Sequence, residues 1–366
     1  MISPDIAMPA ALLAIVTTAM LLNERVENKL KTTFEHRELH TRDIILFVLT
    51  IAIAISVIAY VSLLKPGQIF HNIILTFFLL SYSILLFTFT NTFSKMQKRK
   101  AQLFSFVFGV FSLIIAATNF LEPLKDSYAF YRVIAFFALT TFSFCTILIV
   151  QKKQDERERW YISVQPPALF LLLFIFYNLL YTGEAQIWDP ILMNIYAIVV
   201  AVMIIFYLSP LFTWKTTVIF AALLTIVDII LVLGTRTMGE AANQFTEIGL
   251  PVMVFLPNIP LTPVPPSYPY KSFYGFYGNG LGVGDFFFAG ILAIQTLKKF
   301  DKKTALISVF AMTISFALFL ALMGEIIKVL EPLIGPGIEY FPGTLMIICG
   351  WLPVVIWKTI TVKRSA

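Results

Sequence analysis

The stretch TTVIFAALLTIVDIILVLG, from Thr216 to Gly234, decides the fold class: apart from its threonines it is apolar, and it carries a single carboxylate, Asp228. A hydrocarbon core of ~30 Å takes roughly 20 helical residues to cross, and this stretch has that length. A second stretch, GLGVGDFFFAG from Gly280 to Gly290, opens another apolar run and carries Asp285. A carboxylate inside a span costs ~2.5 to 3.5 kcal/mol on insertion scales, so each needs a reason. Only these two lie well within spans.

Working outward, apolar runs of similar length recur along the chain. Eleven spans are expected: Ile6 to Leu22, Ile44 to Leu64, Ile69 to Phe93, Leu103 to Leu121, Phe130 to Val150, Tyr161 to Tyr181, Ile191 to Pro210, Thr216 to Gly234, Leu281 to Leu297, Thr304 to Ile327 and Phe341 to Trp357. Cytoplasmic connections are enriched in Lys and Arg. Placing the N-terminus outside and the C-terminus in the cytoplasm puts 21 of the 27 basic residues inside and 6 outside. One span more or fewer scrambles that alternation. The expected fold is an all-α polytopic membrane protein of about 11 transmembrane helices.

Composition agrees. Of the 366 residues, 58% are hydrophobic and 13% charged, against about a quarter charged in soluble domains. The net charge of +6 lies in short clusters between apolar runs, which fits membrane topology and excludes a nucleic-acid surface. Cys145 and Cys349 fall within apolar runs and form no disulfide framework. Met1 to Asp5 has no basic residue, so the first apolar stretch is expected to be a retained span and not a signal peptide. No HExxH pattern occurs, and no metal or other cofactor is implied. The partners expected are the lipid bilayer and whatever the acid pair serves; no oligomeric state is implied.

The one long connection, 235–280, is rich in proline and external in this topology. Met238 to Ile248 is polar enough for a short interfacial helix, Val252 to Leu256 has strand-like content, and Tyr268 to Tyr277 suits a loop lying along the interface. Asp228 lies six residues before Gly234 and Asp285 five after Gly280. At 1.5 Å per residue the two sit roughly 8 to 9 Å beneath the same face on consecutive antiparallel spans, so they can meet. Two carboxylates in one poorly solvated site do not ionise together readily, and one tends to keep a proton. Peptide hydrolysis by acid and base needs that state: one Asp takes a proton from water while the other polarises the carbonyl. Gly282 and Gly284, lacking Cβ atoms, permit close backbone approach beside Asp285. A shielded substrate helix must also be opened, and an added strand from the long loop would hold it open.

Gly282, Val283, Gly284 and Asp285 fit the GxGD signature of intramembrane aspartyl proteases, and the chain resembles the presenilin and signal peptide peptidase family. Phe286 and Phe288 look like the presenilin continuation, and Gly290 is similar to that of signal peptide peptidase. The resemblance makes Asp228 and Asp285 the catalytic pair. Pro342, Gly343, Thr344 and Leu345 stand where the family has Pro-Ala-Leu, and Val227 stands where it has Tyr. The resemblance implies a nine-helix protease core over 67–366, with 1–66 as two additional N-terminal helices. It further implies cleavage within transmembrane segments, with type II proteins or remnant signal peptides favoured by the orientation, in the cell membrane if the source is prokaryotic.

Three other readings stay open from the residues. The acid pair suits a proton- or cation-coupled transporter, although no inverted repeat of broken helices is visible. A prepilin or preflagellin peptidase shares GxGD but favours Lys where Phe287 stands. A non-cleaving, helix-binding relative is the third. Gly278 to Gly284 superficially resembles a phosphate loop, yet it lacks the strand-turn-helix setting.

Overall fold

The computed structural model describes residues 5–30, 38–63, 98–121, 191–247, 249–264, 276–335 and 340–365, with isolated positions between 74 and 174. The chain divides into two compact units, one formed by 1–71 with 190–366 and the other by 72–189.

In the first unit, α1 (Ala7–Leu30) and α2 (Thr41–Leu63) precede the interval taken up by the second unit, whose described helix is α3 (Lys98–Leu121). The first unit resumes with α4 (Met193–Leu208) and a 3-10 turn, Ser209–Leu211. Then come α5 (Trp214–Ile229), α6 (Thr237–Glu247), strands β1 (Met253–Pro257) and β2 (Gly278–Gly282), and helices α7 (Val283–Lys299), α8 (Lys302–Ile334) and α9 (Gly343–Ser365). Among the described residues, five helices are long and apolar enough to cross a membrane: Thr41–Val61, Met193–Leu211, Trp214–Gly234, Lys302–Leu333 and Gly343–Val362. The architecture is helical and consistent with a membrane protein. The expected spans Ile69 to Phe93, Phe130 to Val150 and Tyr161 to Tyr181 lie largely outside the described residues.

Several boundaries differ from expectation. Helix α1 runs on through Asn23 to Leu30, past the apolar run, because Glu, Arg and Lys there are good helix formers in water. Helix α8 extends to Ile334, and Glu325 and Lys328 pair on its exposed surface at 2.9 Å. The long loop holds a short helix, α6, where one was expected, and the expected strand as β1. The run expected as a span from Leu281 begins instead as a strand. β2 pairs antiparallel with β1, Met253 opposite Gly282 and Phe255 opposite Gly280, and the chain turns helical only at Val283. Residues 265–275, in the stretch expected to lie along the interface, fall outside the described residues.

Helix α7 is the centre of the first unit. It is buried from Phe286 through Thr296, as a helix apolar on all sides should be, and α1, α4, α5, α8 and α9 pack around it. Phe220 of α5 ties it in, with ring contacts to Phe212, Phe287 and Phe288 at 5.1, 5.9 and 6.1 Å. On α4, Ile205 presses on Gly290, where an added Cβ would come within 2.5 Å. Outward faces are apolar too: Leu46, Leu49, Ile53 and Val57 on α2 and Ile314, Leu318 and Leu322 on α8 are exposed at helical spacing, the arrangement for contact with lipid. The two N-terminal helices, α1 and α2, pack directly on helices that carry or flank the two aspartates.

Candidate active site

Asp285 owes its position to the junction of β2 and α7. Gly282 closes the strand and is the N-cap of the helix, with φ −64° and ψ 145°. That makes Asp285 the third helical residue, the place from which a side chain reaches back to the N-cap amide. The carboxylate does turn back toward the N-cap: its Oδ2 lies 3.3 Å from where a Cβ on Gly282 would stand. Val283 N–H donates to Val252 O at 2.9 Å, so the strand pairing itself sets where the helix begins. The GxGD pattern is thus a strand end, an N-cap and a carboxylate turned back on it. An added Cβ at Gly284 would meet nothing within 4 Å, which leaves open space beside Asp285.

Asp228 lies one residue before the end of regular α-helix in α5. From Ile230 to Gly234 the turns widen to π geometry, with Thr235 N–H donating to Ile230 O at 2.8 Å. Wide turns of this kind are frequent at functional sites. Nothing in the apolar run Ile229 to Leu233 signals it.

The first turn of α9 joins the two acids. Asp228 Oδ2 accepts from Thr344 twice, from the backbone N–H at 3.2 Å and from the hydroxyl at 2.5 Å. The preceding residue, Gly343, lies against Asp285: a Cβ there would fall 2.5 Å from Oδ1 and 2.7 Å from Cγ. Asp228 is close enough to act electrostatically on Asp285. Adjacent residues of one helix therefore hold two carboxylates from two others. Pro342 is buried just before the helix and Leu345 is half-buried in its first turn. A glycine at position 343 has a physical reason here, since a methyl group has no room beside Asp285.

No protein-family profile, curated protein or solved structure matches the chain. Its own geometry must carry the functional reading.

Two polar residues near the hairpin escaped the sequence reading. Asn194 at the start of α4 is 7% exposed and bonds the backbone of Phe255 in β1 through both ends of its amide. Asp5, 5% exposed, accepts from Ala7 N–H at 2.9 Å, from Ile259 N–H at 3.3 Å and from the Asn279 side chain at 2.8 Å. A polar residue bordering an apolar run was the only signal, and it did not identify a partner. Among the described residues, no three His, Cys, Asp or Glu side chains gather as metal ligands would.

Proposed function

We propose that the chain is an intramembrane aspartyl endopeptidase of the presenilin and signal peptide peptidase type. The observation that carries this reading is the convergence of Asp228 of α5 and Asp285 of α7 on Gly343 and Thr344 of a third helix. Two interacting carboxylates share one proton. One carboxylate takes a proton from water as it attacks the scissile carbonyl, the other donates to the carbonyl oxygen, and the leaving amine takes up a proton as the C–N bond breaks. Thr344 orients Asp228, and Gly343 packs against Asp285. The open side at Gly284 is the approach for the peptide. β2 offers backbone groups on which an unwound segment pairs as an added strand.

In this reading the chain crosses the membrane eleven times, N-terminus outside and C-terminus in the cytoplasm, and takes type II transmembrane segments or remnant signal peptides. The test is cleavage of a panel of type I and type II transmembrane peptides by purified protein in lipid. Asp228→Ala and Asp285→Ala each abolish cleavage, and the double variant loses no more than either single one, because the pair acts as a unit. Cleavage that survives both substitutions ends the proposal.

A further inference from the structure

The hairpin beside Asp285 has two edges, and they are unlike. In an antiparallel pair, opposed residues alternate between pointing their backbone groups at each other and pointing them away. Val283 N–H bonds Val252 O, and Asn258 N–H bonds Tyr277 O. Counting from these along the register, Met253, Phe255 and Pro257 of β1, with Gly282, Gly280 and Gly278 opposite them, point their backbone groups away from the hairpin.

On the β1 side that edge is closed. The Asn194 amide accepts from Phe255 N–H at 2.7 Å and donates to Phe255 O at 2.6 Å, the two bonds that a neighbouring strand would make. Pro257, the next outward position, has no N–H to offer. On the β2 side the outward positions are all glycine. Asp285 Oδ2 lies against Gly282, and Gly280 is exposed. The side-chain face of β2 is occupied as well, since a Cβ on Gly280 would run into Met253. Asp5 ties β2 to the segment after β1 by accepting from the Asn279 side chain and from Ile259 N–H.

We infer that Asn194 is a positioning residue that makes this hairpin one-edged: by taking the place of a strand on β1, it leaves the glycine edge of β2 as the place where an extended segment pairs. Because that edge runs directly into Asp285, the choice of edge sets the register in which a segment meets the carboxylates. The consequence for cleavage rests on the protease reading; the choice of edge does not.

The test is residue-resolved hydrogen exchange of the full-length protein in lipid nanodiscs, with and without a blocked peptide of alternating valine and threonine as the probe. In the wild type, the peptide slows exchange at Gly280 and leaves Phe255, already bonded, unchanged. In Asn194→Ala, Phe255 exchanges roughly tenfold faster without peptide, the worth of one or two net hydrogen bonds, and the peptide now slows it too. Pro257→Ala, which restores an edge N–H without touching α4, leaves exchange at Phe255 as in the wild type, because Asn194 still bonds it. On a cleavable transmembrane peptide, one dominant cut in the wild type spreads in Asn194→Ala to positions two residues apart, the strand repeat. Identical footprints in wild type and Asn194→Ala, or a peptide that protects neither edge, overturn the inference. The expected footprints with no cleavage of any substrate remove the protease reading and leave the edge assignment standing.

Discussion

The two ends of the α5, α7 and α9 cluster are held in opposite ways. At the end carrying Trp214, the side chains complete one another. Gln295 donates to the Ser209 and Phe212 carbonyls, both at 2.9 Å, and Trp351 Nε1 donates to Thr296 Oγ1 at 2.9 Å. Trp214 packs its ring on Phe300 and Trp351. Thr213 and Thr216 form a reciprocal cap on α5, and Asp301 caps α8 through Thr304 while pairing with Lys358 at 3.0 Å. At the end carrying the aspartates, the elements are a widened turn, a glycine strand with a free edge and an open side at Gly284. A rigid end thus holds three helices in place so that the other can leave polar groups facing space. Buried polar groups are normally satisfied because leaving them bare is costly; where they are left facing space, a ligand is the usual reason.

Substitutions at the two ends should therefore have separable effects. The largest is expected from Gly343→Ala. The new methyl group meets the Asp285 carboxylate and turns it away from Asp228, and a misplacement of about 1 Å in a reacting group costs up to ~100-fold in rate. It should lower kcat by about 10- to 100-fold while the melting temperature moves little, measured by peptide cleavage and thermal unfolding of the same preparation. A melting temperature that falls in step with activity would break the contrast between the ends.

Gln295→Leu probes the other end. It strips the Phe212 carbonyl of its side-chain donor and leaves Ser209 O the long bond from Phe212 N–H at 3.4 Å, at about 1 to 3 kcal/mol for a group left unsatisfied. A lower melting temperature is expected, with cleavage per folded molecule unchanged. Loss of cleavage at full stability would show that the anchored end takes part in the chemistry.

Thr344→Val removes the hydroxyl on Asp228 but keeps the backbone donor. A fall in kcat of roughly tenfold is expected, with KM unchanged and Thr344→Ser restoring the rate. Equal rates for Val and Ser would remove Thr344 from the site.

The smallest effect is electrostatic. The Thr304 amide first, then the Lys358 ammonium and the Thr304 hydroxyl, hold the Asp301 carboxyl down at about 2. A carboxylate lowered in the folded state stabilises it above the ordinary carboxylate range, and that contribution is lost as pH falls through about 2. Asp301→Asn should flatten the acid side of the stability curve between about pH 4 and pH 2. The effect is small because the pair is partly exposed and screened. An unchanged slope in the variant would assign the acid sensitivity to other groups.

Much of the candidate site was legible because its signals are local. Asp228 in an apolar run and the glycines before Asp285 stand out one residue at a time, and the strand content of Val252 to Leu256 and the polarity of α6 are read the same way. β2 was missed for a physical reason: Gly278, Asn279 and Gly280 have poor strand propensity. They are held in a strand by pairing with β1 and by the Met253 and Phe255 side chains covering them. The widened turn after Asp228 was missed because apolar side chains carry no record of which carbonyl their amide will bond. Asn194 and Asp5 were missed because each meets its partner from a distant part of the chain.

By itself the sequence determined that the chain carries membrane-length apolar helices, that Asp228 stands inside one of them and that Asp285 opens a further apolar run, because the cost of a charge in lipid and the length of a span are properties of a segment alone. The tertiary structure decided that the two acids meet on Gly343 and Thr344, that Gly282 ends a strand and caps a helix, and that one edge of the hairpin is closed by Asn194. Those outcomes depend on hydrogen bonds and close approaches between residues far apart in the chain, and only folding selects among them.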